Sequence, residues 1–438
     1  MTVAIDRRIR GNLGWLALDR GWRIALNLCV LGVVARHLGP ELFGRLNYAA
    51  SLAALFAIVA SGGLEGVLIR ELLARPGETP VLLGTATGLR CLGGLAALLL
   101  AGLAGWSHGG DGELAVLALL VAAGFLPQAL EVTDLWFQKE MQSQRTALAR
   151  GAAAVAGAGI KLGLVAGKAP LAWFAAALGL DLALAALALA WLWWRGGGQP
   201  AEWRFCRLTA QRLLTEAMPL VGAGLLVAVY LRVEQVMVRE LLGDAAAGVY
   251  FAAARLAEQW VAVPGLIITA VYPVLAQGKA ETAGQEQRMQ RLFDALTLLG
   301  LLLATGVTLF GPWLIPLLFG ARFQAAVPVL LVLAWTAPII FSGAARAQWL
   351  LLAGLTVYHI PSALLGIAVN VAAGLWALPR FGPVGAAASA LVGYVGSAFV
   401  TSWLFPPLRP CARLQTRAFL LPFAPHRVRE LIRLIRET

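Results

Sequence analysis

Residues 38–52 read LGPELFGRLNYAASL, and residues 242–256 read LGDAAAGVYFAAARL. Both contain L-G-x-x-x-x-G, then an Ala-Ala pair and a Leu at matching offsets. Each phrase falls between two long apolar runs. Gly39 and Gly243 suit a tight turn. Gly44 and Gly248 let the following helix start close against its neighbour. The first glycines are 204 residues apart, and five further apolar runs lie between the copies. The phrase therefore returns after six spans. That spacing predicts a parallel repeat of two six-helix halves.

Composition sets the solvent. Of 438 residues, 60% are hydrophobic and 13% are charged. An average soluble domain carries about twice that charge. Stretches of about 20 apolar residues recur along the chain, so it reads as a polytopic membrane protein. The expected spans are about 13–36, 44–73, 80–105, 113–138, 145–167, 171–195, 212–239, 246–276, 291–319, 324–353, 358–379 and 383–407. They are read as helices because lipid offers nothing to an unpaired backbone group. The fold class expected is an all-α membrane protein of about twelve transmembrane helices in two parallel-repeat lobes.

The net charge is +12. With the N-terminus placed inside, 21 of the 35 Lys and Arg fall in inside segments and six in outside segments. That bias predicts both termini in the cytoplasm, and it explains the charge without nucleic acid. Residues 1–195 are expected to form the N-terminal six-helix lobe and 212–408 the C-terminal one. Residues 196–211, rich in Gly and Pro, are read as a cytoplasmic linker and flexible joint. Residues 409–438 form a basic tail. In RVRELIRLIRET, Val428, Leu431, Ile432 and Ile435 follow helical spacing, as in a helix lying on an anionic leaflet.

Four Cys and four His are scattered, so no metal site is expected. No P-loop, nucleophile–His group or large outer loop is visible, so no enzyme is expected. Pro264, Pro316, Pro328 and Pro338 lie within expected spans and predict bends.

Charge within a span costs about 2.5–3.5 kcal/mol at a helix centre, so it faces a cavity or a partner. Arg20, Arg23 and Asn27 form one stripe of the first span, with Asp19 four residues before Arg23. Arg232, Glu234 and Gln235 lie in the seventh, and Arg255, Glu258 and Gln259 in the eighth. Arg90 lies in the third and Arg346 in the tenth. Guanidiniums suit a pyrophosphate because they stay charged and donate two parallel hydrogen bonds. Arg20, Arg23, Asn27, Arg90, Arg232, Gln235, Arg255 and Arg346 are the candidate cargo-binding residues. Internal pairing is the competing reading, with Asp19–Arg23 and Arg255–Glu258 at helical pairing distance. Asp19, Glu65, Glu131, Asp134, Glu234 and Glu258 are candidates for coupling to Na⁺ or H⁺.

Four stretches resemble a known family. They are VVARHLGPELFGRLNYAASL at 33–52, the long run at 216–276 from EAMPLVGAG to VYPVLA, DLWFQKEMQ at 134–142 and FGPVGAAASALVGYV at 381–395. The chain resembles the polysaccharide (O-antigen type) flippases of the multidrug/oligosaccharidyl-lipid/polysaccharide exporter superfamily. The resemblance implies two lobes around a central cavity, a MATE-like fold, and alternating access. It implies an undecaprenyl-pyrophosphate-linked oligosaccharide as cargo and the bacterial inner membrane as location. Membrane lipids, a polysaccharide polymerase and a chain-length regulator are the expected partners. A monomer without an organic cofactor is expected. Two alternatives stay open: a cation-coupled drug exporter of the same fold, whose cavity would be acidic and aromatic, and a lipid II flippase, which carries more spans.

Overall fold

A computed structural model describes residues 2–109, 112–261, 263–265, 267–268 and 282–421, with side chains from Gly21 onward except at 143, 282, 283 and 285. Asp19 and Arg20, as side chains, lie outside the described residues, as does the expected surface helix at 427–436. The chain packs as two units, Met1–Arg232 and Val233–Thr438. Among the described residues there is no strand.

The first unit opens with α1 (Thr2–Leu55), α2 (Ala57–Ser61), α3 (Glu65–Ala74) and α4 (Thr79–Gly109). It continues through α5 (Glu113–Ala122), α6 (Phe125–Gln128), α7 (Val132–Lys139), α8 (Ser143–Ala166) and α9 (Leu171–Arg195). Helix α10 (Arg207–Leu242) begins in the first unit and ends in the second. The second unit adds α11 (Asp244–Val261), α12 (Thr282–Phe319), α13 (Ala326–Ala334), α14 (Thr336–Leu352), α15 (His359–Phe381) and α16 (Pro383–Val395). A π-helical turn (Gly396–Val400), α17 (Thr401–Leu404) and α18 (Arg409–Phe419) follow.

Ten segments of the described residues are long and apolar enough to cross a membrane. Helix α4 shows how such a segment meets lipid. Leu92, Leu95, Leu99, Leu103 and Trp106 are exposed along one stripe, while Ala86, Ala97 and Ala101 are buried on the other side. In lipid the exposed leucines cost nothing, and the small residues admit neighbouring helices.

The two remaining expected spans, 44–73 and 246–276, occupy equivalent places in the repeat. The first is interrupted between α1 and α3, with Gly62 and Gly63 at φ 65° and 62°. The second carries Arg255 and Glu258 in α11, which opens at Asp244, and is described only in part beyond Val261. The repeated phrase turns the chain at its first glycine in both copies, each with positive φ. Gly39 has φ 74° and ψ 173°, which divides α1 in two, and Gly243 has φ 85° between α10 and α11. Burial also repeats: Phe43, Gly44, Leu46, Asn47, Tyr48 and Ala49 are buried, as are Ala247, Gly248, Tyr250, Phe251, Ala252 and Ala253. Arg239 closes the second corner by pairing with Asp244 at 3.1 Å. Arg45 ties the first to Glu113 at 2.9 Å.

Other expected spans are broken where the chain needs room. Span 113–138 is split into α5, α6 and α7. At its first break a Cβ on Gly124 would lie 2.3 Å from the Gly179 carbonyl oxygen, so α9 crosses there backbone against backbone. Span 324–353 breaks at Trp335 between α13 and α14. Pro338 has no N–H for the Ala334 carbonyl, which accounts for that break. Pro316 lies inside the continuous helix α12.

The stretch 196–206 is held along α4. The Cys206 N–H donates to Thr85 Oγ1 at 3.1 Å, and the Arg204 N–H donates to the Pro80 carbonyl at 3.4 Å. The core beneath includes Leu64, Leu68, Leu82, Leu83, Phe137, Trp193 and Leu213.

Candidate functional site

Each unit holds its own set of polar groups among apolar helices. In the first unit Arg90 of α4 is buried, at 3% exposure. Its Nε donates to the Ser61 carbonyl at 3.3 Å, and its Nη2 lies 3.6 Å from Glu65 Oε1. Both partners flank the Gly62–Gly63 interruption. The broken helix frees carbonyls there, and the guanidinium answers one of them. Glu131 sits on the turn between α6 and α7 and accepts from Gln128 Nε2 at 3.2 Å.

Asp134 lies on α7, a turn further along, and is buried with three donors around it. Thr146 Oγ1 reaches it at 2.8 Å, Gln138 Nε2 at 3.0 Å and Arg150 Nη2 at 3.0 Å. These contacts tie α7 to α8. Lys161 of α8 pairs with Asp181 of α9 inside the apolar layer. In α1, Arg23 is half-buried and Asn27 is exposed.

The second unit brings together several of the sequence candidates. Arg255 Nη1 pairs with Glu258 Oε2 at 3.0 Å along α11. Gln235 of α10 donates to Glu258 Oε1 at 3.2 Å. Beside it Glu234, also buried, accepts from Asn370 Nδ2 of α15 at 2.7 Å. The other amide atom, Asn370 Oδ1, is buried and has no hydrogen-bond partner among the described residues. Glu234 and Asn370 thus place oxygen acceptors together in a buried site. Arg232, the last residue of the first unit, is half-buried.

Arg346 of α14 has a different setting. It is buried, at 5% exposure. Its Nε donates to Ser402 Oγ at 2.9 Å, and its Nη2 donates to Ser362 Oγ at 2.7 Å and Thr401 Oγ1 at 3.2 Å. Each hydroxyl gives its own proton to a backbone carbonyl one turn earlier: Ser362 to Tyr358, Thr401 to Ser397 and Ser402 to Ala398. Their lone pairs therefore turn toward the guanidinium. Thr401 and Ser402 directly follow the π-helical turn, which sets their positions. No described carboxylate pairs with Arg346, and its Nη1 donates to no described residue. The site keeps a full positive charge with hydrogen-bonding capacity to spare, which suits an anion.

Helix α18 covers this arrangement from one side. Gln415 Nε2 donates to Ser342 Oγ at 3.3 Å and to the Ala398 carbonyl at 3.0 Å. Cys411 is fully buried there, and burial pushes its thiol up to about 12 against the opposing pull of Arg346.

The partners Ser61, Ser362, Asn370, Thr401 and Ser402 escaped the reading of the sequence. They are small, uncharged and far apart along the chain. The two available signals were an Asn inside the apolar run 359–379 and a Thr-Ser pair inside 383–407.

The polysaccharide biosynthesis protein family matches residues 33–328. No curated protein sequence matches significantly. Among solved structures, a multidrug resistance MATE family transporter of the MOP superfamily, in an inward-facing conformation, superposes with TM-score 0.69 at 17% identity. That match covers 91% of this chain and 99% of the other. The lipid II flippase MurJ gives TM-score 0.67 at 12% identity, covering 94% of this chain and 92% of its own. A MOP superfamily transporter from Pyrococcus furiosus gives 0.61 at 16% identity, over 93% and 95% of the two chains. The fold is thus MATE-like, and the molecule is a multi-pass membrane protein.

Proposed function

Because the chain belongs to the polysaccharide biosynthesis protein family, we propose that it is a flippase for an undecaprenyl-pyrophosphate-linked oligosaccharide. It moves this cargo from the cytoplasmic to the outer leaflet of the bacterial inner membrane by alternating access, for O-antigen, capsule or exopolysaccharide synthesis. Both termini lie in the cytoplasm.

The observation that carries the reading is the setting of Arg346. A buried guanidinium held by three hydroxyls, without a described carboxylate, favours an anionic head group over a cationic drug. Family membership supplies the polysaccharide context. The other guanidiniums named from the sequence, Arg20, Arg23, Arg90, Arg232 and Arg255, remain the pool from which further head-group contacts come. Glu234 with Asn370 is the preferred coupling site for Na⁺ or H⁺, since the pair offers a buried carboxylate and an unmet amide oxygen.

The test is deletion of the gene in its native host, with complementation. Loss of surface glycan, with lipid-linked intermediate accumulating and both restored by the wild-type gene, supports the proposal. Unchanged glycan with altered drug sensitivity sinks it and favours the exporter of the same fold.

A further inference from the structure

Helix α18 carries Arg409, Arg413 and Arg417 at four-residue spacing, and all three are exposed. The opposite face, with Cys411, Ala412, Leu414, Gln415 and Ala418, is buried against the second unit. Four residues, 405–408, separate the helix from the last span, Pro383–Leu404. Trp403 and Leu404, which close that span, and Leu420, just after the helix, are exposed and apolar. Such residues belong in the acyl region, so the arginine stripe lies at head-group level.

A cavity of about 300 Å³ opens beside the stripe, lined by Arg413, Arg417, Trp349, Leu352, Met289 and Glu286. Glu286 lies 3.6 Å from Arg417 Nη1. It offsets one of the two guanidiniums, and the lining keeps net positive charge. Two planar forks, an indole and apolar walls match a phosphodiester with acyl chains beside it. We propose that this cavity binds the phosphate of an anionic glycerophospholipid from the surrounding bilayer. The site is separate from the Arg346 cluster and does not depend on what the protein transports. Phosphate is the shared chemistry, so the test must distinguish a lipid head group from free phosphate.

The full-length protein, delipidated in neutral detergent, would be examined by native mass spectrometry with phosphatidylglycerol or phosphatidylcholine of the same chains. The expected result is a preference for phosphatidylglycerol of about tenfold, as a few basic side chains give at an anionic surface. Arg413→Gln with Arg417→Gln should abolish the preference and leave thermal unfolding unchanged. Arg322→Gln, an exposed arginine elsewhere in the unit, should keep it. Equal retention of the two lipids, or a preference untouched in the double variant, would overturn the proposal. Displacement of the lipid by millimolar inorganic phosphate would also overturn it, in favour of a soluble anion.

Discussion

Arg346 donates to Ser362 at 2.7 Å within a membrane-spanning unit, with Thr401 and Ser402 completing a neutral cradle. The cradle holds the guanidinium in place without cancelling its charge. A carboxylate partner would have cancelled it, as Glu258 does for Arg255 at 3.0 Å.

Arg346→Met should therefore separate stability from transport. The variant loses hydrogen bonds to a charged group but also relieves a buried charge, and the two effects oppose each other. The detergent unfolding temperature should move by only a few degrees. Transport of lipid-linked oligosaccharide should fall roughly tenfold or more, the value of one charge-assisted hydrogen bond. Arg346→Lys should recover part of it. Normal transport by a well-folded Arg346→Met protein would remove this residue from cargo binding.

Glu234→Gln keeps an oxygen for Asn370 Nδ2 to donate to, but removes the charge. The variant should fold normally and lose the dependence of transport on an imposed Na⁺ or H⁺ gradient. Asn370→Ala should weaken the same dependence while leaving Glu234 charged. Gradient-driven uptake in proteoliposomes checks both, and full coupling in Glu234→Gln would rule the pair out.

The repeated corner makes a prediction about backbone alone. A Cβ at Gly243 would meet nothing within 4 Å, so any cost of Gly243→Ala comes from its φ of 85°. That cost is about 1–2 kcal/mol. Gly39→Ala should cost more, because φ 74° with ψ 173° lies in a region essentially reserved for glycine. Gly243→Asn should be milder, because Asn tolerates the left-handed region. Thermal unfolding in detergent reads all three.

Much of this architecture was legible in the sequence because lipid enforces a simple rule: apolar runs must be helices. The corner glycines were legible because a left-handed residue at a turn has few alternatives to Gly. Arg255–Glu258 was legible because helical spacing fixes it. The Arg346 cradle was not. Its acceptors sit 16, 55 and 56 residues away, and hydroxyls in an apolar run carry no periodic signal. The break beside Arg90 was hidden as well, since Gly62 and Gly63 also read as ordinary small residues of a membrane helix.

Cysteine chemistry offers an independent check on α18. Cys411 is fully buried and its thiol is pushed up to about 12, so it stays protonated far above neutral pH. A variant retaining only Cys411 should resist maleimide at pH 8. Cys206, at the start of α10, is half-buried, and hydrogen bonds from Thr209 hold its thiol below the usual range. A variant retaining only Cys206 should label readily under the same conditions. Rapid labelling of Cys411 in the folded protein would mean that α18 does not pack as described.

The most direct measurement reconstitutes the purified protein in liposomes with a fluorescent undecaprenyl-pyrophosphate-linked oligosaccharide. Exposure of the sugar to a membrane-impermeant oxidant is then followed with time. The wild-type protein should make the inner-leaflet pool accessible, and Arg346→Met should do so roughly tenfold more slowly or worse. Access no faster than in protein-free liposomes, with a cationic dye moved instead, would contradict the assignment as an oligosaccharide-lipid flippase.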